Sequence, residues 1–253
     1  MVNQRTHPFL ENPGPIAFAH RGGASAAPEN TLAAFSDAVS LGYRYLETDV
    51  QVTRDGALLA FHDNDLSRTC GVDRRIDSMT RAEVASCLVG GREPIPSLED
   101  VLGSWKDVKV NIDCKSDAAL QPLIDCLRRT NALDRVCLGS FSDRRLRLLR
   151  DAFGEAACIS MGPRSVGRLL VGSLRAPLSP PPGHAAQVPI RQGPIPVVTG
   201  AFIEYAHRHG IAVHVWTVDD PKEIGRLLDL GVDGVMSDDT RALRDVFVAR
   251  GLW

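Results

Sequence analysis

A closed barrel of eight parallel strands, each followed by a helix, is the fold the sequence predicts, and three observations predict it. β-like apolar runs alternate with helix-period segments from Ile16 onward, which argues for a parallel sheet. Counting from Ile16 gives eight such units in a chain of 253 residues, the (β/α)8 count. The residues with chemistry to offer fall at the C-terminal ends of the runs, where the loops of such a barrel gather.

In order, Ile16–His20 is the first strand, and Gly22 and Gly23 let the backbone turn close to a ligand. A helix opens at Asn30-Thr31, keeps Leu32, Phe35, Ala38, Val39 and Leu41 near helical spacing, and stops at Gly42. Tyr45–Val50 is the second strand, and 51–61 is a hairpin excursion around Asp55-Gly56 that returns to His62. Residues 64–107 lack one clear period and exceed what a βα connection needs. They read as a small insertion between strands two and three, with helix candidates at Thr80–Leu88 and Ser97–Trp105.

Alternation then becomes regular. Strand Val108–Cys114 precedes helix Ala118–Thr130, strand Arg135–Gly139 precedes helix Asp143–Phe153, and strand Ala157–Met161 precedes helix Ser165–Leu174. A rigid proline-rich loop is expected at Pro177–Gly183. Strand Ala185–Val188 with helix Val197–His209, Ala212–Val218 with Pro221–Leu230, and Gly234–Ser237 with Thr240–Arg250 complete the count. The fold class is therefore α/β, a (β/α)8 TIM barrel with a small insertion between strands two and three, read as one domain over 1–253.

Composition bounds the function. The chain is 44% hydrophobic and 24% charged, enough for one sizeable core. Its net charge is −2 and its Lys and Arg are scattered, which argues against a nucleic-acid partner. The six cysteines form no C-x-x-C and several lie in apolar segments, so they read as structural thiols in a reducing compartment. The N-terminus has no apolar core for a secretory signal, and no run approaches the roughly 18 residues of a membrane span. A cytoplasmic protein without stable membrane insertion is expected, its partner a small molecule.

The chemistry concentrates in Ile16–Asp63. Side chains alternate along a strand, so Tyr45, Glu47 and Asp49 share one face. Two carboxylates so placed repel unless a cation, a shared proton or a basic partner intervenes. Taken alone, such an E-x-D reads as an exposed acidic pair. By the same alternation Asn111, Asp113 and Lys115 share a face, and Asp113 from a neighbouring parallel strand would complete a three-carboxylate site for a hard divalent cation, Mg²⁺ or Ca²⁺. Lys115 stands one pleat beyond, placed to hold an anion. Carboxylates, fixed cations and the imidazoles of His20 and His62 suit phosphoryl chemistry.

These residues carry a family resemblance. The pattern H-R-G-x(5)-P-E-N-T from His20, then E-x-D at Glu47, then Asp55-Gly56 followed by His62-Asp63, resembles the glycerophosphodiester phosphodiesterase family. The likeness continues through Asp113-Cys114-Lys115, Ser140-Phe141-Ser142, Val215-Trp216-Thr217-Val218 and Gly231-Val232-Asp233-Gly234. It implies His20 and His62 as a catalytic pair, Glu47, Asp49 and Asp113 as ligands of a divalent cation, and Arg21 and Lys115 as the basic groups facing the phosphate. It also implies a lid-like role for the insertion. The implied reaction is hydrolysis of a glycerophosphodiester to glycerol 3-phosphate and an alcohol. The family's third ligand is often Glu, and Asp113 also resembles the sphingomyelinase-D-like phospholipases. Lysophospholipase D or sphingomyelinase-D-like cleavage, through a cyclic phosphate, is thus the alternative. Such cleavage needs an apolar ramp, which the 64–107 segment and Val166–Pro182 could supply.

Other residues keep two readings. Glu29 and Asn30 either cap the first helix or orient Arg21 and the metal ligands. Asp63 could fix the tautomer of His62. Trp216 and Phe141 are either core aromatics or pocket wall, and Gln187 could bond substrate hydroxyls. His184, His207, His209 and His214 read as structural, and Asp219-Asp220 as a cap.

Overall fold

The computed structural model describes residues 7–174 and 182–253. The expected Pro177–Gly183 loop lies, through Pro181, outside them. Eight parallel strands form the barrel: β1 (Ile16–Ala19), β2 (Tyr45–Val52), β3 (Lys109–Cys114), β4 (Val136–Gly139), β5 (Cys158–Ile159), β6 (Ala185–Val188), β7 (Ala212–Val215) and β8 (Gly234–Ser237). They pair in the order β5-β4-β3-β2-β1-β8-β7-β6. That leaves β5 and β6 to meet, and they do so through a parallel bridge between Ser160 and Ala185. The seam consists of Met161 N–H to Ala185 O at 2.8 Å and His184 N–H to Ile159 O at 2.8 Å. The barrel is nearly closed, as the alternation predicts.

The outer layer is α1 (Leu32–Ser40), α2 (Leu98–Ser104), α3 (Leu120–Thr130), α4 (Asp143–Phe153), α5 (Pro163–Ser173), α6 (Gly200–Arg208), α7 (Pro221–Leu230) and α8 (Thr240–Ala249). Their starts follow from the sequence. Thr31 caps α1 by accepting from Ala34 N, Ser97 and Asp100 cap α2 reciprocally, and Asp220 with Pro221 opens α7. Each such cap contributes about 1 kcal/mol. The inward-turned helix faces cover the outward strand residues, among them Leu46, Val50, Ile112 and Cys114.

Two elements differ from expectation. The helix expected at Ser97–Trp105 belongs to the barrel, since Leu98 and Leu102 pack with Ile112 and Leu123; the insertion proper is therefore 64–97. The helix expected at Thr80–Leu88 is a single turn, Arg81–Val84, followed by the strand Leu88–Val89 paired with Glu93–Pro94. Its apolar residues serve a separate cluster of Leu59, Phe61, Leu66, Ile76, Met79, Val84 and Ile95, so one helical stripe was never required. The excursion after β2 is the expected hairpin, with Leu58–Ala60 antiparallel to β2.

Inside the barrel, polarity changes along the strands. The N-terminal end is apolar: Phe9, Ile16, Phe18, Tyr45, Cys137, Cys158 and Met236 pack together. The turn Pro8–Leu10 plugs this end, tied by Lys109 Nζ donating to Pro8 O at 2.6 Å and Tyr45 Oη donating to Phe9 O at 3.0 Å. Along β2 the inward side chains run Tyr45, Glu47, Asp49, from plug to polar mouth. All six cysteines are free thiols, and Cys114 faces the outer helices as alternation requires.

Candidate active site

The mouth is built on the β1 and β2 ends. After β1 the chain makes the turn His20–Gly22, with Arg21 at φ 53°. Gly22 and Gly23, at φ 83° and 87°, are obligatory here: a Cβ on the first would lie 2.9 Å from Phe35 N, and one on the second 2.5 Å from Thr240 Cγ2. This turn aims Arg21 N–H at Glu47 Oε2, 3.0 Å away, and brings His20 Nε2 to 3.7 Å from the same oxygen.

Pairing of β2 with β3 puts Asp49 opposite Asp113. Lys115 Nζ lies between them, 2.7 Å from Asp49 Oδ1 and 2.7 Å from Asp113 Oδ2. Arg21 Nη1 donates to Glu29 Oε1 at 2.9 Å, while its Nε stands 3.2 Å from Asp49 Oδ2 as an ion pair without hydrogen-bond alignment. Asn30 is buried; its Nδ2 donates to Asp49 Oδ2 at 3.2 Å and its Oδ1 accepts from Thr48 at 2.7 Å. Neither Glu29 nor Asn30 caps the first helix, since Thr31 does; Glu29 instead accepts from Arg21 and Asn30 donates to Asp49.

The histidines are held alike. His20 Nδ1 is 2.7 Å from Asp238 Oδ1, and His62 Nδ1 is 2.6 Å from Asp63 Oδ1. Asp63 thus takes the tautomer-fixing position foreseen for it. Asp238 was not singled out in the sequence, although it directly follows the eighth strand, where the strand-end rule applies. Asp219 does not cap α7; its Oδ1 accepts from Ser237 Oγ and Asp238 N–H, both at 2.8 Å, and fixes the Asp238 turn. Arg68 joins the two sides by bonding both Asp63 and Glu29. No spacing rule could have found this contact across the insertion.

The remaining candidates sit around this centre. Gln187 faces the barrel interior, where its amide donates to Asn111 Oδ1 at 2.7 Å. Trp216 is half-buried with its ring 5.7 Å from that of Phe141, and Lys115 Nζ lies 5.6 Å from the Phe141 ring. Phe141 is 61% exposed, so it belongs to the mouth and not to the core. Of the apolar ramp expected on Val166–Pro182, residues 175–181 lie outside the described residues, and the described part is not beside the mouth. Leu169 is buried, and exposed Val171 and Leu174 lie at the C-terminal end of α5, which in a βα unit is the opposite end of the barrel.

Electrostatics follow from burial and pairing. Burial, with Asp49 beside it, pushes Glu47 up to about 7 against the pull of His20 and Lys115. Burial likewise raises Asp113, with Lys115 opposing. For Asp49 burial works the same way, but Lys115, Arg21 and His62 outweigh it and hold the carboxyl below its ordinary value. Burial alone would lower His20; Glu47 and Asp238 outweigh it and raise the imidazole. Near neutral pH the centre therefore holds an ionised Asp49 and two fixed cations, with His20 Nε2 3.7 Å from Glu47 Oε2. Among the described residues no group of three or more His, Cys, Asp or Glu side chains forms a ready-made metal site. Even so, the donor set suits a hard cation. Asp49 and Asp113 share Lys115, Glu47 lies beside Asp49, and the buried Asp113 Oδ1 has no hydrogen-bond partner among the described residues.

Comparison with known proteins decides the family. The model of the glycerophosphoryl diester phosphodiesterase family matches residues 20–242. The chain belongs to that family. It is 39% identical to a probable glycerophosphodiester phosphodiesterase 2 of Mycobacterium tuberculosis, over 97% of this chain and 95% of that one. It is 26% identical to a lysophospholipase D of Homo sapiens, over 90% of this chain and 84% of the other. A solved phosphodiesterase from Oleispira antarctica, in complex with the product sn-glycerol-3-phosphate, superposes with a TM-score of 0.77 at 22% identity, covering 93% of this chain and 97% of that one. As a glycerophosphodiester phosphodiesterase relative, the chain is an enzyme of a hydrolytic family built on this barrel. No described helix is long and apolar enough to cross a membrane.

Proposed function

We propose that the protein hydrolyses glycerophosphodiesters to glycerol 3-phosphate and an alcohol, using His20 and His62 as an acid/base pair. The observation that carries this reading is the matched support of the two rings, each Nδ1 against a carboxylate at 2.7 Å and 2.6 Å. That arrangement leaves each Nε2 to exchange protons. Arg21 and Lys115 bind the phosphate and share its developing negative charge. One imidazole takes the proton of the attacking hydroxyl as the new P–O bond forms. The other gives its proton to the departing alcohol oxygen as the old bond breaks. Attack by water yields glycerol 3-phosphate directly, and attack by the glycerol hydroxyl yields a cyclic phosphate.

Glu47, Asp49 and Asp113 would hold a divalent cation, Mg²⁺ or Ca²⁺, which supplies positive charge at the phosphate and competes with Lys115 for the two aspartates. Gln187 supports the site from below through Asn111, and Trp216 with Phe141 forms the wall that meets the alcohol. We read 1–253 as one catalytic barrel with 64–97 as its lid-like side segment. The six free thiols support a reducing, cytoplasmic setting.

A second reading, lysophospholipase D or sphingomyelinase-D-like cleavage, is favoured by the exposed Phe141 at the mouth. Chelator-treated protein, given Mg²⁺ or Ca²⁺ back separately, separates the two on glycerophosphocholine, glycerophosphoethanolamine and lysophosphatidylcholine. Glycerol 3-phosphate released from the first two, and only with metal restored, is the expected result. Faster turnover of the lyso lipid would favour the second reading, and no turnover of any would sink both.

A further inference from the structure

We propose that Arg68 is a positioning residue that locks the His62 side of the site to the Arg21 side. It lies on the one-turn helix Ser67–Cys70 of the insertion. Its Nε donates to Asp63 Oδ2 at 2.6 Å, and its Nη1 and Nη2 donate to Glu29 Oε2 and Oε1 at 2.8 Å and 2.6 Å. Neither carboxylate is idle. The other oxygen of Asp63 holds His62 Nδ1, and Glu29 Oε1 also accepts from Arg21 Nη1. One guanidinium therefore fixes both oxygens of Glu29 and one of Asp63. Through them it fixes an imidazole and a phosphate-facing cation contributed by different loops.

The chemistry needs a guanidinium. A planar fork presents several donors in fixed directions, so it sets the orientation of two carboxylates at once, whereas an ammonium supplies only a point charge. Arg68 is itself placed from two directions. Gly71 ends its helix in the left-handed conformation with its N–H on Ser67 O, and Gly90 N–H donates to Thr69 O at 2.8 Å. The insertion also rests on the Pro28–Glu29 loop, where a Cβ on Gly90 would come within 3.0 Å of Pro28 Cγ. The Arg68 side chain is 51% exposed. Ion pairs so exposed add little to stability, so the value of this contact lies in geometry.

The inference rests on the acid/base role proposed for His62, and the test separates the two. Arg68→Ala and Arg68→Lys are compared with the wild-type protein for turnover of glycerophosphocholine, thermal unfolding, and the imidazole ¹H–¹⁵N spectrum of His62. Arg68→Ala should lower kcat by about tenfold or more with its unfolding midpoint nearly unchanged. Millimolar guanidinium should restore part of that loss, and Arg68→Lys should recover less than guanidinium does. In the spectrum, the His62 Nδ1–H signal of the wild type should broaden or vanish in Arg68→Ala. An Arg68→Ala enzyme within about twofold of wild type, or a loss that guanidinium leaves untouched, would overturn the inference. If the wild type turns over nothing, the proposed function fails, and an unchanged His62 signal in Arg68→Ala would then refute the positioning role by itself.

Discussion

The two histidine–aspartate pairs make nearly the same contact from different scaffolds. His20–Asp238 is barrel-borne: His20 directly follows β1, Asp238 follows β8, and Asp219 clamps the Asp238 turn by accepting from its backbone N–H. His62–Asp63 is carried by the return from the β2 excursion, and its carboxylate is clamped by a side chain of the insertion, Arg68. The His20 side chain is 12% exposed and that of His62 33%. A ring seated among closed strands is fixed by the fold itself. A ring at the rim needs an added strut. The barrel holds one histidine of the proposed acid/base pair, and the insertion secures the other.

The largest expected effect treats the pairs as equals. His20→Ala and His62→Ala should each lower kcat on a glycerophosphodiester by more than about a hundredfold, measured with folded fraction matched by circular dichroism. Wild-type-like turnover in either would break the symmetry of the comparison.

A third histidine of the same barrel sharpens it. His214 is fully buried, its Nε2 has no hydrogen-bond partner among the described residues, and burial pushes it down to about 4 despite Asp233. An unfolded histidine titrates near 6.5. The folded protein thus keeps the full benefit of a neutral ring above that pH and loses it as pH falls toward 4, because only the unfolded chain takes up the proton. Urea unfolding should show about 2 kcal/mol less stability at pH 5 than at pH 7 from this group, and His214→Leu should remove that share of the slope. An identical slope in the variant would contradict the assignment. Where a carboxylate stands on the ring, as at His20, the pull runs the other way.

Smaller still is the cost of softening each support. Asp238→Asn and Asp63→Asn should each lower kcat by roughly tenfold. The loss should be greater at Asp63, since its amide also deprives Arg68 of a charged partner. Equal losses in steady-state kinetics would mean that the two scaffolds do not differ as described.

The barrel was legible because its rules are local. Strand and helix periods, the caps at Thr31 and Ser97 and the placement of Glu47, Asp49 and Asp113 on one set of faces all follow from neighbours within a few residues. Pairing of Asp49 opposite Asp113 follows once the strands are parallel and adjacent. The supports of the histidines were legible only in part. Asp63 sits next to His62 in the chain, but Asp238 lies 218 residues from His20 and Arg68 lies 39 from Glu29. Such contacts are set by loop paths, and no periodicity encodes them. The same limit explains the insertion, whose apolar residues fill a small cluster of their own, and Phe141, whose exposure reflects where its loop projects.

The central claim is that both rings present Nε2 to the substrate because a carboxylate holds each Nδ1. Long-range ¹H–¹⁵N spectra of the imidazoles, recorded at a pH where both are neutral and assigned with His20→Gln and His62→Gln, test it directly. The account predicts the Nδ1–H tautomer, hydrogen-bonded, for both His20 and His62. An Nε2–H tautomer at either ring would contradict it.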